Sequence, residues 1–122
     1  MATKKATRAT LDSLLTKKRR TKELALGDQT LLFEALGSKE YDDLVAEHPP
    51  TKDQKAEGAV WNPDTFAPAL VSSCSVEPKI DLDSANAIFV SEAWSRGELS
   101  DLFMAVVRLN AEGLDVPFGA GD

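Results

Sequence analysis

A chain of 122 residues, of which 43% are hydrophobic and 28% charged, has the length and composition of one globular domain with one modest core. No apolar run approaches the ~20 residues that cross a bilayer, and the basic N-terminus lacks the apolar stretch of a secretory signal. Cys74 is the only cysteine, which excludes an internal disulfide and leaves the cytosol as the default compartment.

The net charge of −6 is unevenly distributed along the chain. Residues 1–22 hold eight basic residues and one acidic residue, a net charge of +7, whereas residues 23–122 carry a net charge of −13. A basic arm on an acidic body can fold back on that body, bind nucleic acid or bind an acidic partner. Because short charged termini are usually unstructured, we predict that residues 1–10 form a disordered basic tail.

The first elements predicted after this tail are one apolar turn and a hairpin. Leu11, Leu14 and Leu15 can form a single helical turn, which is too short to be stable without packing. Two apolar runs then flank the connection Gly27-Asp28-Gln29, which predicts a β-hairpin over about 19–36. Leu, Ala and Glu also favour helix, so a helix over 30–36 is the alternative.

Short helices are predicted on both sides of a proline-rich crossover. Ser38 can cap a helix over about 38–47, and the prolines after His48 end it. Residues 51–57 can add one turn, closed by Gly58. With Thr65 as the cap, the next helix runs over about 65–76 and buries Phe66, Ala69, Leu70, Val71 and Cys74. A start at Pro63 is disfavoured, because it would place Pro68 beyond the first turn.

Two further helices and a tail complete the predicted architecture. Asp81 or Asp83 caps a helix over about 83–95, which Arg96-Gly97 would end, and a last helix covers about 98–112. Residues 114–122 form a tail, so residues 11–113 are one globular domain. The fold class is α+β, mainly α, with a short N-terminal hairpin packed on three to four short helices. The predicted large core residues are Trp61, Phe66, Phe89, Trp94 and Phe103.

The sequence contains few groups that could carry chemistry. Cys74 lies on the predicted buried face of a helix and the single histidine, His48, at a helix end, so nothing orients them as a catalytic pair. Asp81-x-Asp83 begins like a calcium loop but lacks its glycine and final glutamate. Since the glycines are isolated, no phosphate-binding loop is present either. We predict no catalytic residue, no metal and no cofactor.

A basic run of Lys17, Lys18, Arg19 and Arg20 is typical of nucleic-acid-binding arms. No aromatic residue is interleaved with it to stack on bases, and the acidic body would repel a phosphate backbone. Direct nucleic-acid binding is therefore disfavoured.

Several motifs together resemble a family of small actinobacteriophage and prophage proteins. They are Leu36-Gly37-x-x-x-Tyr41-x-x-Leu44, Glu47-His48-Pro49-Pro50-Thr51, Gly58-x-x-Trp61-Asn62-Pro63-Asp64-Thr65-Phe66-x-Pro68-Ala69-Leu70 and Val76-Glu77-Pro78. The basic run followed by Thr21, the stretch Trp94-Ser-x-Gly97-Glu98 and the stretch Val116-Pro117-Phe118 fit the same pattern. The resemblance covers roughly residues 11–118. Many relatives carry a longer charged insert where this chain has only Gly27-Asp28-Gln29.

The resemblance implies a tail assembly chaperone. Such a protein binds the long, helical tape-measure protein and shields its apolar stripes until tail-tube subunits polymerise around it. It implies a tape-measure partner, the tail-tube protein as a second partner and self-association as a further option, with no membrane. The expected location is the host bacterial cytoplasm, outside the mature virion. A frameshifted longer form is common among such chaperones, and Gly119-Ala-Gly-Asp122 would then end the short form.

Two other functions stay open. The chain could be a structural virion component, in the tail tube or the head–tail connector, or a small nucleic-acid-binding regulator acting through residues 4–22. For the chaperone hypothesis, the predicted contacts are the hairpin with Phe33 and the crossover around Trp61, with Lys17, Lys18, Arg19 and Arg20 beside them. Trp is frequent at binding hot spots, but a core position for Trp61 is the alternative.

Overall fold

The structure is a computed structural model that describes residues 7–113. In this range a three-stranded antiparallel sheet is combined with six helices, which confirms the predicted mainly α class with a hairpin. The strands are β1 (Thr21–Leu26), β2 (Gln29–Glu34) and β3 (Ser75–Glu77). The helices are α1 (Leu11–Leu15), α2 (Ser38–Ala46), α3 (Lys52–Ala56), α4 (Pro63–Cys74), α5 (Leu82–Phe89) and α6 (Arg96–Ala111).

The predicted tails lie largely outside this description. Residues 1–6 and 114–122 fall outside the described range, whereas residues 7–10 have no regular structure and lead into α1. Of the described helices, none combines the length and the apolar character that a membrane span requires.

The hairpin is confirmed, with a tighter turn than predicted. Leu26 pairs with Gln29, so the connection is the two residues Gly27-Asp28 and not three. Gly27 has a φ of +62°, a left-handed conformation that glycine adopts at little cost in a two-residue turn. The alternative helix over 30–36 is wrong, because those residues pair with β1 along their length up to Glu34.

Strand β3 was not expected, since residues 75 and 76 were assigned to a helix. It pairs antiparallel with β2, with Ser75 opposite Phe33 and Glu77 opposite Leu32. The buried hydroxyl of Ser75 accepts a hydrogen bond from the Ile80 N–H at 2.8 Å and donates one to the Ser72 carbonyl at 2.8 Å. Those bonds end α4 and turn the chain, which explains why the helix stops at Cys74.

Helix α4 starts earlier than predicted. Asn62, not Thr65, is the N-cap: its side-chain oxygen accepts a hydrogen bond from the Asp64 N–H at 3.0 Å, and Pro63 takes the first helical position. A proline there has the backbone angle that a helix needs. Pro68 consequently lies inside the helix, where it leaves the carbonyl of Asp64 unpaired by a backbone N–H. Because Asp64 is exposed, water can reach that carbonyl.

The boundary between the last two helices is also different from the prediction. Helix α5 ends at Phe89 and not near residue 95, and α6 begins at Arg96. Ser95 caps α6 by accepting the Glu98 N–H at 3.1 Å, while the Glu98 carboxylate accepts the Ser95 N–H at 2.8 Å. Arg96-Gly97 is therefore the first turn of α6 and not a helix stop.

The caps of the remaining helices agree only in part with those predicted from the sequence. Of the two predicted candidates, Asp81 and not Asp83 caps α5, accepting the Ser84 N–H at 2.7 Å. Ser38 is the first residue of α2 and not its cap, which is Gly37 without a side-chain hydrogen bond. The predicted single turn after Pro50 is α3, capped by Thr51.

The core is centred on α4, whose predicted buried residues are all buried. The largest fully buried side chains are Phe33, Phe66, Leu70, Val71, Cys74 and Val106. Four of the five aromatic residues assigned to the core are only half-buried: Trp61, Phe89, Trp94 and Phe103. Residues 90–95, which were predicted to continue α5, instead form a connecting segment in which Val90 is exposed and Trp94 is half-buried.

The half-buried side-chain amide of Asn110 links the end of α6 to the residues that follow β2. The side-chain oxygen of Asn110 accepts the Leu36 N–H at 2.8 Å, and its NH₂ group donates to the Val106 carbonyl at 2.8 Å. The same NH₂ group lies 3.5 Å from the Cys74 sulfur. Asn110 therefore fixes α6 against both the sheet and α4.

Candidate functional site

The two groups that could have formed a catalytic pair have separate partners. Cys74 is buried, and burial raises the pKa of its thiol, with the Asn110 hydrogen bond acting in the opposite direction. A raised pKa keeps the thiol protonated, which is the opposite of what an activated nucleophile requires. His48 instead shares a 2.9 Å hydrogen bond between its Nδ1 and the Thr65 hydroxyl.

The described part of the chain offers no cluster of metal-ligating side chains. Among residues 7–113, no group of three or more His, Cys, Asp or Glu side chains lies close enough to hold an ion. The carboxylate of Asp81 caps α5, and its hydrogen bonds with Ser84 lower its pKa. Helix capping therefore accounts for the aspartate that resembled the start of a calcium loop.

The basic run divides into two parts. Arg19 pairs with Glu34 at 3.1 Å and with Glu40 at 3.3 Å, whereas Arg20 pairs with Glu112 at 3.6 Å and donates to the Gly113 carbonyl. These pairs are exposed, so each stabilises the fold by at most about 1 kcal/mol, but together they hold the base of the hairpin against the acidic body.

The lysines of the run are placed differently from the arginines. Lys17 donates to the backbone carbonyl of Lys18 at 2.9 Å, and neither lysine forms an ion pair with a described residue. Lys17 and Lys18 are thus the members of the run that present charge to solvent.

The two predicted aromatic contacts have different environments. Phe33 is 1% exposed, so its side chain offers no surface to a partner while the fold is intact. Trp61 is half-buried: its ring stacks on Phe66 with centroids 4.5 Å apart and meets Phe103 edge-on at 6.2 Å. Trp61 therefore belongs to the edge of the core and still faces solvent in part.

An open groove lies beside Phe103, the ring that Trp61 meets edge-on. It lies between the start of α4, the segment that joins α5 to α6, and the first turns of α6, and its volume is about 750 Å³. We call it the aromatic groove, and its apolar lining is Ala67, Phe89, Val90, Trp94, Leu99 and Phe103. Asp64, Glu92 and Arg96 also line it, so the groove combines apolar side chains with charges of both signs.

A second groove lies between the hairpin tip and the opposite side of α6. Its volume is about 400 Å³. We call it the hairpin groove, and its apolar lining is Leu24, Leu26, Leu31, Trp94, Leu102 and Ala105. Glu98, Asp101 and Arg108 supply its charged lining, and Trp94 is shared with the aromatic groove.

The aromatic groove was missed because its residues were assigned to the core. A signal was present in the sequence: Ser95-x-x-Glu98 is a capping box, which starts a helix at Arg96 and forces a break before it. With that break, Val90 and Trp94 fall in a connecting segment and not on a helix packed against the core.

Comparison with protein-family models, with curated proteins and with solved structures returned no match for this chain. Any function must therefore be argued from its own residues and from the motif resemblance described above.

Proposed function

We propose that this protein is a non-enzymatic tail assembly chaperone that binds apolar helical segments of a tape-measure protein in the aromatic groove. The observation that carries the proposal is the groove itself: about 750 Å³ of open space lined by aromatic rings that are only half-buried. Half-buried aromatic residues beside charged ones have the composition of a protein-binding surface.

The lining of the groove, with apolar residues next to charged ones, suits an amphipathic helix. Such a helix is bound through apolar residues spaced at i, i+3, i+4 and i+7, which enter a groove with an apolar floor. Val90 is 81% exposed at the groove, so it is available for contact without any rearrangement. A tape-measure protein presents many helical segments of this kind, which would allow several chaperone molecules to bind one chain.

The chemistry of the remaining residues supports binding without turnover. The thiol of Cys74 is buried and protonated, and His48 is engaged by Thr65. The net charge of −6 disfavours self-aggregation of a protein that exposes apolar rings, since like charges repel. A single groove offers a small contact area, which suits a partner that has to be displaced when tube subunits assemble around the tape measure.

Co-expression with a tape-measure protein tests the proposal. The expected result is a soluble tape-measure protein that co-purifies with the chaperone, and aggregated tape-measure protein in its absence. Aggregation in both cases, with no complex, would overturn the proposal.

The proposal also concerns location. A chaperone released on tail-tube assembly remains in the host cytoplasm and is absent from the finished particle. Mass spectrometry of purified particles distinguishes this from a structural virion component, which would be present in stoichiometric amounts.

A further inference from the structure

Strand β1 has an open side. Within residues 7–113 the sheet order is β1-β2-β3, which leaves β1 at one edge. The Ala35 N–H donates to the Arg20 carbonyl at 2.9 Å, and these two residues lie opposite each other when the register of the hairpin is continued. Since hydrogen-bonded and non-hydrogen-bonded pairs alternate along an antiparallel ladder, Thr21, Glu23 and Ala25 direct their N–H and C=O groups to the open edge. All three residues are exposed, so this edge can accept a further strand.

The hairpin groove borders the same edge. Leu24 and Leu26 of β1 line it on one side, with Leu102 and Ala105 of α6 on the other. A strand added to the edge places every second side chain next to these leucines, because neighbouring strands share their faces. The segment that fits both the edge and the groove is therefore extended, with apolar residues at alternate positions.

The chain leaves α6 beside the start of β1. Arg20 pairs with Glu112 at 3.6 Å and donates to the Gly113 carbonyl. Glu112 ends the helix with extended backbone angles, φ −66° and ψ 135°. A segment that continues from Gly113 along β1 therefore starts at the base of the hairpin and runs toward its turn, which makes it parallel to β1.

The sequence after α6 has the required alternation. Leu114, Val116 and Phe118 are apolar, and Asp115 and Pro117 lie between them. Successive side chains of a strand point to opposite faces, so an extended conformation places the three apolar side chains on one face. That face matches the apolar lining of the hairpin groove.

Pro117 is compatible with one strand direction only. Side-by-side residues on parallel strands direct their backbone groups the same way, whereas those on antiparallel strands direct them toward each other or apart. A residue beside Leu24, whose groups point to β2, therefore bonds to β1 only in the parallel arrangement. With Val116 and Phe118 on the groove face, the backbone of Pro117 then points to solvent, where its missing N–H is not needed. The direction set by the end of α6 is thus also the one that the proline allows.

We infer that residues 114–118 add to the open edge of β1 in the same molecule, as a parallel strand that covers the hairpin groove. Because Gly113 is held by Arg20, Leu114 lies beside Arg20, and Phe118 lies beside Leu24, about 13 Å further along both strands. A tethered segment has a high effective concentration at this edge, so it closes the edge against strands of other molecules. This inference does not depend on the tape-measure protein and stands or falls separately from the proposed function.

Amide hydrogen exchange of the full chain, measured by NMR, tests the added strand. In the wild type the Thr21 and Glu23 amides should exchange slowly, because they donate to carbonyls of the added strand. F118S should accelerate both by about tenfold or more, the ratio that one buried aromatic side chain supplies. The Lys22 and Leu24 amides, which donate to β2, should remain slow in both proteins and show that the hairpin is intact. Fast exchange of the edge amides in the wild type, or slow exchange in both proteins, would overturn the inference.

Two matched variants test the register and the occupant. P117S changes a residue whose backbone faces solvent in the added strand, and L15S removes an exposed leucine of α1. The edge amides of both variants should exchange as slowly as those of the wild type. Faster exchange in P117S would contradict the parallel register, and faster exchange in L15S would assign the groove to α1 instead.

Dilution distinguishes the segment of the same molecule from that of a second copy. Protection within one chain does not depend on protein concentration, so the exchange rate of the Glu23 amide should be constant over a dilution series. Protection that is lost on dilution would show that a second copy covers the edge, and would overturn the inference.

Discussion

The indole ring of Trp61 stacks on the buried ring of Phe66, with centroids 4.5 Å apart and 26° between the ring planes. One residue of this pair is fully buried and the other half-buried, so the stack lies at the edge of the core. Phe103 meets both rings edge-on and also lines the groove. A substitution at these rings can therefore change both the stability of the core and the lining of the groove. Variants have to be chosen so that the two effects can be measured separately.

Replacing Trp61 by alanine should reduce both stability and binding, whereas phenylalanine should preserve most of the stability. W61A removes the stack on Phe66 and should lower the free energy of unfolding by about 2 kcal/mol, less than a fully buried aromatic residue would lose. W61F keeps a ring over Phe66 and should lose less than about 1 kcal/mol. Urea denaturation measures both values. Equal stability of the two variants would show that the stack contributes nothing.

Phe33 should prove to be a structural residue. Because it is 1% exposed, F33A should lower the free energy of unfolding by about 3–5 kcal/mol, and F33L by much less. Denaturation curves of the two variants check this, and F33L should still bind a partner as well as the wild type does. A well-folded F33L that fails to bind would instead assign Phe33 a direct role in recognition.

The Asn110 amide should contribute measurably to stability. N110A leaves the Leu36 N–H without its acceptor in a part-buried position, which should cost about 1–3 kcal/mol in the free energy of unfolding. S100A, an exposed change on the same helix, should stay within about 0.5 kcal/mol of the wild type. If N110A matched S100A, the link between α6 and β2 would have no energetic role.

Stability should decrease at alkaline pH. Burial is the main cause that raises the pKa values of the Cys74 thiol and the Tyr41 hydroxyl in the folded state. Each group is neutral when protonated, so its contribution is fully present below the pKa of the unfolded chain and is lost as the pH rises through the folded pKa. The loss should begin above about pH 8.5 for Cys74 and nearer pH 10 for Tyr41.

Variants separate the two titrations. The free energy of unfolding of C74A should depend less on pH between about 8 and 10, because no thiol remains to ionise in the unfolded chain. Y41F should alter only the more alkaline part of the curve. A wild-type stability that rises over this range would contradict the assigned direction.

Predictions from the sequence were correct where a single local pattern indicated one structure. The hairpin followed from apolar runs around Gly27, and the buried face of α4 followed from its helical spacing. Predictions were wrong where two local patterns indicated different structures. Pro68 indicated a helix start after Pro63, but Asn62 caps the helix and Pro63 is its first residue. Strand β3 is three residues long and pairs with a distant strand, so no local pattern could reveal it.

The position of a helix end also explains why the candidate site was not predicted. Apolar and aromatic residues were identified correctly, but their burial depends on where α5 ends, and helix ends are the least predictable feature of a sequence. Phe89 and Trp94 were therefore placed in the core when they line an open groove. The ion pairs of Arg19 with Glu34 and Glu40 join residues 15 and 21 positions apart, which spacing alone cannot indicate.

Binding of the tape-measure protein by V90D, compared with V76D, tests the central claim most directly. Val90 is 81% exposed in the aromatic groove, and Val76 is 44% exposed on β3 outside it, so both changes add one charge at a surface valine. In a pull-down from co-expressing cells, V90D should lose the tape-measure protein and V76D should retain it, with similar thermal midpoints for both variants. Retention by V90D at the level of V76D would contradict the assignment of the aromatic groove as the binding site.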